Sequence, residues 1–281
     1  MTVKIVKISA VEFGTSDLPV IAGPCVIESR EHTLRLVEAL KTITGRLGLP
    51  FIFKSSFDKA NRTAAAAYRG PGLEAGLRIL AEVKTQFNIP VLTDIHRPEQ
   101  AQKVAQVVDA IQIPAFLCRQ SDLLVAAAQT GKPVNVKKGQ FLAPGDMRNV
   151  VQKLEQAGNR DILLTERGVQ FGYSNLVSDM RSIAIMRKTG YPVIFDATHS
   201  AQLPGGRGDA TDGVRKYIPV VARAAVAAGC DGIFLEVHDN PDQARSDSAT
   251  QWPLDKLEQL LIELKMIRSA VQSFYSRPKT D

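Results

Sequence analysis

FIFKSSFDKANRT, residues 51–63, opens as an apolar run of strand type, Phe51 to Phe53, and then sets Lys54, Lys59 and Arg62 among Ser55, Ser56, Asn61 and Thr63. A strand that ends in three cations and several hydroxyl and amide groups can receive an anion with shape, such as a phosphorylated small molecule. A solvated cationic turn would explain two lysines alone. It is weaker where the cations directly follow a strand of buried type, because α/β folds build their sites at strand ends.

Outward from this stretch the same unit recurs: an apolar run often introduced by proline or glycine, a polar tip, then helical spacing. The runs are LPVIAGPC (18–25), PFIFKSS (50–56), PVLTDIH (90–96), AIQIPA (110–115), PVNVKKG (133–139), DILLTERG (161–168), PVIFDATHS (192–200) and GIFLEVH (232–238). Continuous runs rich in Val and Ile are what parallel strands covered on both faces require. Eight of them predict an α/β fold, a (β/α)8 TIM barrel, as one catalytic domain over residues 1–281. Between the runs, Leu34, Val37, Leu40, Ile43 and Leu47 share one helical face, as do Leu257, Leu260, Leu261, Leu264 and Ile267, and these read as core. Gly45, Gly48 and Pro50 end one helix and Gly190 another. The leading segment, Val3 to Phe13, alternates and is expected to form a β-hairpin that plugs the N-terminal end of the barrel. An open doubly wound sheet also alternates strand and helix, but it would usually show a Gly-rich phosphate turn after its first strand, and AGPCVIES is not GxGxxG.

Composition narrows the function classes. Hydrophobic residues at 44% and charged residues at 23% supply ample core. No segment approaches the apolar length of a membrane span, and MTVKIVKISAVEF alternates unlike a signal peptide, so a soluble, cytoplasmic chain with no membrane partner is expected. The formal charge of +6 would suit a nucleic-acid binder. The cations, however, are spread without a basic tract or interleaved aromatics, so small anionic substrates are expected and nucleic acid is not. Cys25, Cys118 and Cys230 are odd in number and lack CxxC spacing, so each is read as a free thiol or a ligand.

Cys25, Lys54, Asp94, Gln112, Lys137, Arg167, His199 and Glu236 fall one at or just beyond the C-terminal end of each proposed strand, where barrel enzymes place their chemistry. They are expected to converge on one pocket. Lys54, Lys59, Arg62, Lys137 and Arg167 form a cationic group that only multiple phosphate or carboxylate charges would justify. Cys25, His199, Glu236 and Asp247 form a group of soft and borderline donors suited to one divalent ion such as zinc, iron or manganese. Taken singly, a Cys after Gly-Pro is more often a small buried apolar residue, and His199 a hydrogen-bonded loop histidine. Glu236 and His238 are read as facing opposite sides of the last strand, with Glu236 inward because FLE continues the strand. Asp247 shares its loop with Asp239 and Asp242, and the long loops 201–213 and 239–253 are candidate lids.

The blocks IAGPCVIES, FKSSFDKANRT, TDIHRPEQ, IQIPAFLCRQ, NVKKGQFLAP, LTERGVQFGY, FDATHSAQ and FLEVH, in this order, resemble the 3-deoxy-D-manno-octulosonate 8-phosphate synthase family over nearly the whole chain. The tetrad Lys59-Ala60-Asn61-Arg62 is the telling one, because the related 3-deoxy-D-arabino-heptulosonate 7-phosphate synthases resemble Lys-Pro-Arg there. The resemblance implies a transferase that condenses phosphoenolpyruvate with D-arabinose 5-phosphate and water, releasing phosphate, in lipopolysaccharide biosynthesis. The heptulosonate reaction with erythrose 4-phosphate is the alternative. By resemblance, Lys54, Ser56 and Lys59 hold phosphoenolpyruvate near its carboxylate, while Lys137, Arg167 and the backbone at Ala115 hold its phosphate. Asn61, Arg62 and Thr63 would take the sugar phosphate, with Asp94 and Gln112 as further substrate contacts and His199 beside the lysines and Arg167 in the catalytic set. Arg119 resembles a residue that reaches a neighbouring subunit's site, which implies a homotetramer. Relatives that work without metal resemble Asn where this chain has Cys25, so the resemblance carries a metal onto Cys25, His199, Glu236 and Asp247.

Overall fold

The structure, a computed structural model, describes residues 3–62, 64, 66–204 and 212–276. Two short strands, β1 (Val6–Ile8) and β2 (Val11–Phe13), form an antiparallel hairpin. Each of the eight apolar runs then yields a parallel strand: β3 (Val20–Gly23), β4 (Phe51–Lys54), β5 (Val91–Asp94), β6 (Ala110–Ile113), β7 (Val134–Lys137), β8 (Ile162–Glu166), β9 (Val193–Asp196) and β10 (Gly232–His238). Every residue in these eight strands is buried, as a parallel sheet with helices outside it requires. Neighbours pair in chain order, and β10 pairs with both β9 (Ile194 opposite Gly232) and β3 (Ile233 opposite Val20), which closes the ring. The predicted (β/α)8 barrel is therefore the fold observed.

Helices α1 (Arg30–Leu47), α2 (Leu73–Phe87), α3 (Gln100–Ala105), α4 (Ser121–Ala128), α5 (Met147–Gln156), α6 (Arg181–Arg187), α7 (Ile218–Ala227) and α8 (Leu257–Ser276) carry the chain between strands and past the last one. In α1, Ser29 Oγ accepts from the His32 amide (3.1 Å), one of the donors that a helix start leaves without an intrahelical partner. The same helix stops at Gly48, whose φ of 63° is left-handed, and the Leu49 amide returns to Thr44 O (2.9 Å). Its inner face buries Leu36, Val37, Leu40 and Ile43, and α8 buries Leu257, Leu260, Leu261 and Leu264. Each such leucine contributes about 1.5–3 kcal/mol by leaving water.

The hairpin lies across the N-terminal ends of the strands, as its alternation predicts. Val6, Ile8, Val11 and Phe13 face inward and are buried. Lys4 donates from its amide to Gly190 O (2.8 Å) and from Nζ to Asp161 Oδ1 (3.1 Å), ahead of β9 and β8, and Ser9 Oγ bonds Asp109 Oδ1 (3.0 Å) ahead of β6. At the other end, β3 and β4 approach so closely that a Cβ on Gly23 would lie 2.0 Å from Lys54 O. Glycine there draws the segment leading to Cys25 against the tip of β4. Among the described residues no helix is long and apolar enough to cross a membrane. Cys25, Cys118 and Cys230 are free and buried.

Candidate functional site

The C-terminal ends of the strands surround a cavity of about 440 Å³ whose wall includes Lys54, Lys59, Asn61, Arg62, Asp94, Gln112, Ala115, Lys137, Arg167, His199, Glu236 and Asp247. Ser56 sits just behind the wall, where its hydroxyl accepts from Lys54 Nζ (2.9 Å) and donates to Asp94 Oδ1 (2.5 Å). Gln112 is held by Asn135, whose Nδ2 donates to Gln112 Oε1 (3.1 Å). Residues 244–248 of the long loop after β10 form part of the wall, whereas most of the other long loop, 205–211, lies outside the described residues. Thr63 lies outside the described residues as well. Arg119 is exposed and is not part of this wall.

The cationic side is built from strand tips. Lys54 Nζ, at the end of β4, donates to Cys25 O (3.3 Å) and approaches Glu236 Oε1 (3.4 Å), and Lys59 Nζ lies 3.7 Å from the same oxygen. Burial works against the Lys59 ammonium, but Cys25 and the carboxylates of Glu236, Asp94 and Asp247 push its pKa up, so it stays charged. Lys137, at the end of β7, bonds Asp196 Oδ2 and stands 3.7 Å from the centroid of the Phe234 ring. Here burial and the charge of Lys54 prevail over Asp196, and the Lys137 pKa is drawn down. Arg167 follows β8 and spans Gln202 Oε1 (2.6 Å) and His199 O (3.1 Å) with Nη2. Its buried Nε has no hydrogen-bond partner among the described residues, which leaves a donor for a bound anion. Burial alone would raise Glu236, yet His199 and the three lysines hold its carboxyl well below the usual range.

The donor group assembles beside these cations. Cys25, Glu236 and Asp247 each offer a ligand atom within 4.8 Å of the others. His199 Nε2 lies 3.6 Å from Glu236 Oε2 and 3.6 Å from Asp247 Oδ2. Glu236 Oε2 is buried without a hydrogen-bond partner among the described residues. His199 Nδ1 is 2.7 Å from Asp196 Oδ2, the carboxylate behind an imidazole that fixes the ring of a ligating histidine. A thiol, an imidazole and two carboxylates converging around an orphaned oxygen fit a borderline divalent cation. Burial, with Asp247 and Glu236, pushes the Cys25 thiol up, so a cation there would have to displace its proton.

Two points differ from the sequence reading. Asp196 was not among the expected residues, though it is fully buried and touches both Lys137 and His199. Its signal was present in PVIFDATHS, as a carboxylate ending an apolar run three residues before the histidine. Glu236 does enter the cavity and His238 does not, but the expected reason fails, because residues two apart share a face of a regular strand. They part because Glu236 is the last residue of β10 in register with β3, opposite Gly23, whereas Val237 and His238 pair with Trp252 and Pro253.

The chain is similar to proteins named 2-dehydro-3-deoxyphosphooctonate aldolase. That of Trichlorobacter lovleyi is 59% identical over 270 residues, 96% of this chain and 99% of the relative. That of Geobacter metallireducens is 60% identical over 259 residues, 92% of this chain and 95% of the relative. That of Alkalilimnicola ehrlichii is 58% identical over 252 residues, 90% and 91% of the two chains. The profile of the DAHP synthetase I family matches residues 3–273. With a match of that length, and relatives this similar over nearly their full lengths, the chain belongs to the DAHP synthetase I family.

Proposed function

We propose that this chain is a transferase that joins phosphoenolpyruvate to D-arabinose 5-phosphate with addition of water, giving 3-deoxy-D-manno-octulosonate 8-phosphate and inorganic phosphate. The observation that carries the reading is the convergence of Lys54, Lys59, Arg62, Lys137 and Arg167 on one cavity. Two multiply charged substrates need such a group, and their anionic ends offset the cost of gathering it. The relatives' name, 2-dehydro-3-deoxyphosphooctonate aldolase, supports the five-carbon sugar over erythrose 4-phosphate.

In this reading Lys54, Ser56 and Lys59 hold the phosphoenolpyruvate carboxylate, and Lys137, Arg167 and the Ala115 backbone hold its phosphate. Asn61, Arg62 and Thr63 take the sugar phosphate, and Asp94 and Gln112 complete the contacts. Held this way, C3 of the enol attacks the sugar aldehyde, water adds at C2, and the C2–O bond to phosphate breaks. Lys137, with its pKa drawn down, releases a proton more readily than a surface lysine and can pass it to the leaving phosphate oxygen. Cys25, His199, Glu236 and Asp247 would hold one divalent ion, zinc, iron or manganese, which supplies orientation of the sugar or activation of a water. The whole chain, residues 1–281, acts as one catalytic domain in the cytoplasm, and Arg119 completes a neighbouring subunit's site in a homotetramer.

The test is incubation with phosphoenolpyruvate and either arabinose 5-phosphate or erythrose 4-phosphate, with and without a strong chelator, following phosphate. Release is expected with the five-carbon sugar, loss of activity on chelation, and recovery on adding a divalent cation. Release with erythrose 4-phosphate alone would overturn the substrate, and full activity in a verified metal-free preparation would overturn the cofactor.

A further inference from the structure

A second cluster of ligand-type side chains lies outside the cavity, where the start of α1 meets the end of β10. Glu28 precedes α1, His32 is the third residue of that helix, and His238 ends β10. Each offers one ligand atom, and these atoms lie within 4.8 Å of one another. Both histidines are more than nine-tenths buried, at 8% and 4% exposure, with ring centroids 4.5 Å apart.

The hydrogen bonding of the two rings is lopsided. Asp239 Oδ1 stands 3.0 Å from His32 Nε2 and 3.1 Å from His238 Nδ1, so one carboxylate serves one nitrogen of each ring. The Asn240 amide is within reach of both Asp239 Oδ1 (3.1 Å) and His238 Nδ1 (2.9 Å), and it can be taken by the carboxylate while that ring nitrogen keeps its proton. Of the remaining nitrogens, His32 Nδ1 is buried with no hydrogen-bond partner among the described residues, and His238 Nε2 faces a carboxylate. Glu28 Oε1 lies 3.3 Å from His238 Nε2. A plain histidine–carboxylate network would not leave His32 Nδ1 buried and unpaired, because an orphaned buried polar atom is destabilising. A carboxylate bonded to one nitrogen of an imidazole orients the ring and raises the basicity of the other nitrogen as a ligand.

We propose that Glu28, His32 and His238 form a second divalent-cation site, with Asp239 orienting both imidazoles and water completing the coordination. Two imidazoles and carboxylate oxygen favour zinc, cobalt or nickel over magnesium or calcium. The site sits at the root of the loop that serves the first. Glu28 Oε1 also accepts from the Arg245 amide (2.8 Å), and the next residue, Ser246, meets Cys25 Sγ (2.8 Å) one position before Asp247. A cation held here ties α1 and β10 to that loop and steadies the Asp247 end of the cavity.

The site is built from residues outside the cavity wall, the count of two ions rests on the proposed cavity metal, and cobalt separates the two sites. A thiolate ligand gives bound Co²⁺ an intense near-ultraviolet charge-transfer band, whereas nitrogen and oxygen ligands do not. The full-length protein, stripped by chelator and dialysed against Co²⁺, is expected to retain two ions per chain by elemental analysis. His32→Ala and Glu28→Gln should each retain one ion and keep the band, whereas Cys25→Ala should retain one ion and lose it. A parent protein that retains a single ion, lost together with the band in Cys25→Ala, would overturn the second site. Two ions in the parent and still two in both His32→Ala and Glu28→Gln would overturn the assignment to these residues.

Discussion

Asp196→Asn keeps the shape of a buried side chain and removes its charge. In the parent, Oδ1 accepts from Thr198 Oγ1 (3.1 Å) and from the His199 amide (2.9 Å), and Oδ2 meets Lys137 Nζ and His199 Nδ1 (2.7 Å). An asparagine that keeps the first two bonds must turn its NH2 towards Lys137 and the imidazole. His199 Nδ1 must then accept, so the ring proton moves to Nε2, the atom that faces Glu236 and Asp247. Losing the carboxylate behind a ligating histidine lowers metal affinity roughly 10–100-fold. At about 1.4 kcal/mol per tenfold, that is about 1.4–2.8 kcal/mol. Separately, Lys137 is left buried without its partner, and breaking such a pair costs about 3–5 kcal/mol. Zinc affinity is read by competition with a colorimetric chelator, and stability by urea unfolding of the metal-free protein at neutral pH. Both losses are expected together. An affinity for zinc within twofold of the parent would refute the reasoning, because the tautomer of His199 would then be irrelevant to ligation.

Three further outcomes are expected. Gly23→Ala places a carbon 2.0 Å from backbone Lys54 O, so β3 and β4 must separate, and the loss should exceed the roughly 1–3 kcal/mol of ordinary overpacking, read as a fall in Tm by circular dichroism. Burial alone would raise Asp94, but Lys54, His96 and Lys59 hold it well below the usual range. Its charge therefore contributes stability that is present above the unfolded value of about 3.9 and is lost as pH falls towards the lower folded value. The stability gap between Asp94→Asn and the parent should be largest near neutral pH and narrow in acid below about pH 4, and urea midpoints that keep a constant gap would contradict this. Leu264→Ala on α8 deletes a fully buried side chain remote from the cavity wall, so about 2–5 kcal/mol of stability should go while kcat/KM stays unchanged.

The barrel was legible because its strands are buried on both faces, which leaves unbroken apolar runs that punctuation by Pro50, Gly190 and Pro192 separates cleanly. The cavity was legible for a related reason: a charged residue at the end of such a run, Lys54 or Glu236, has only the strand's C-terminal mouth to occupy. Asp196 escaped because the same run supplied a more conspicuous residue in His199, and a carboxylate that works through its neighbours has no spacing of its own. The choice among three aspartates in one loop was hardest. Asp247 reaches the cavity through a left-handed turn, φ 48°, while Asp242 faces solvent beside Arg215 (3.0 Å) and Asp239 turns to His32. Such a path is set by the loop's tertiary contacts, which no local pattern encodes.

The hairpin beneath the strands carries a kinetic consequence. With that end of the ring covered by the hairpin and the strands buried along their length, the cavity lies at the C-terminal end of the strands. In the proposed reaction, the substrate held deeper in such a cavity would have to enter before the other. Residues 6–13, which form no part of the cavity wall, would thereby bear on the order of binding from the opposite end of the barrel.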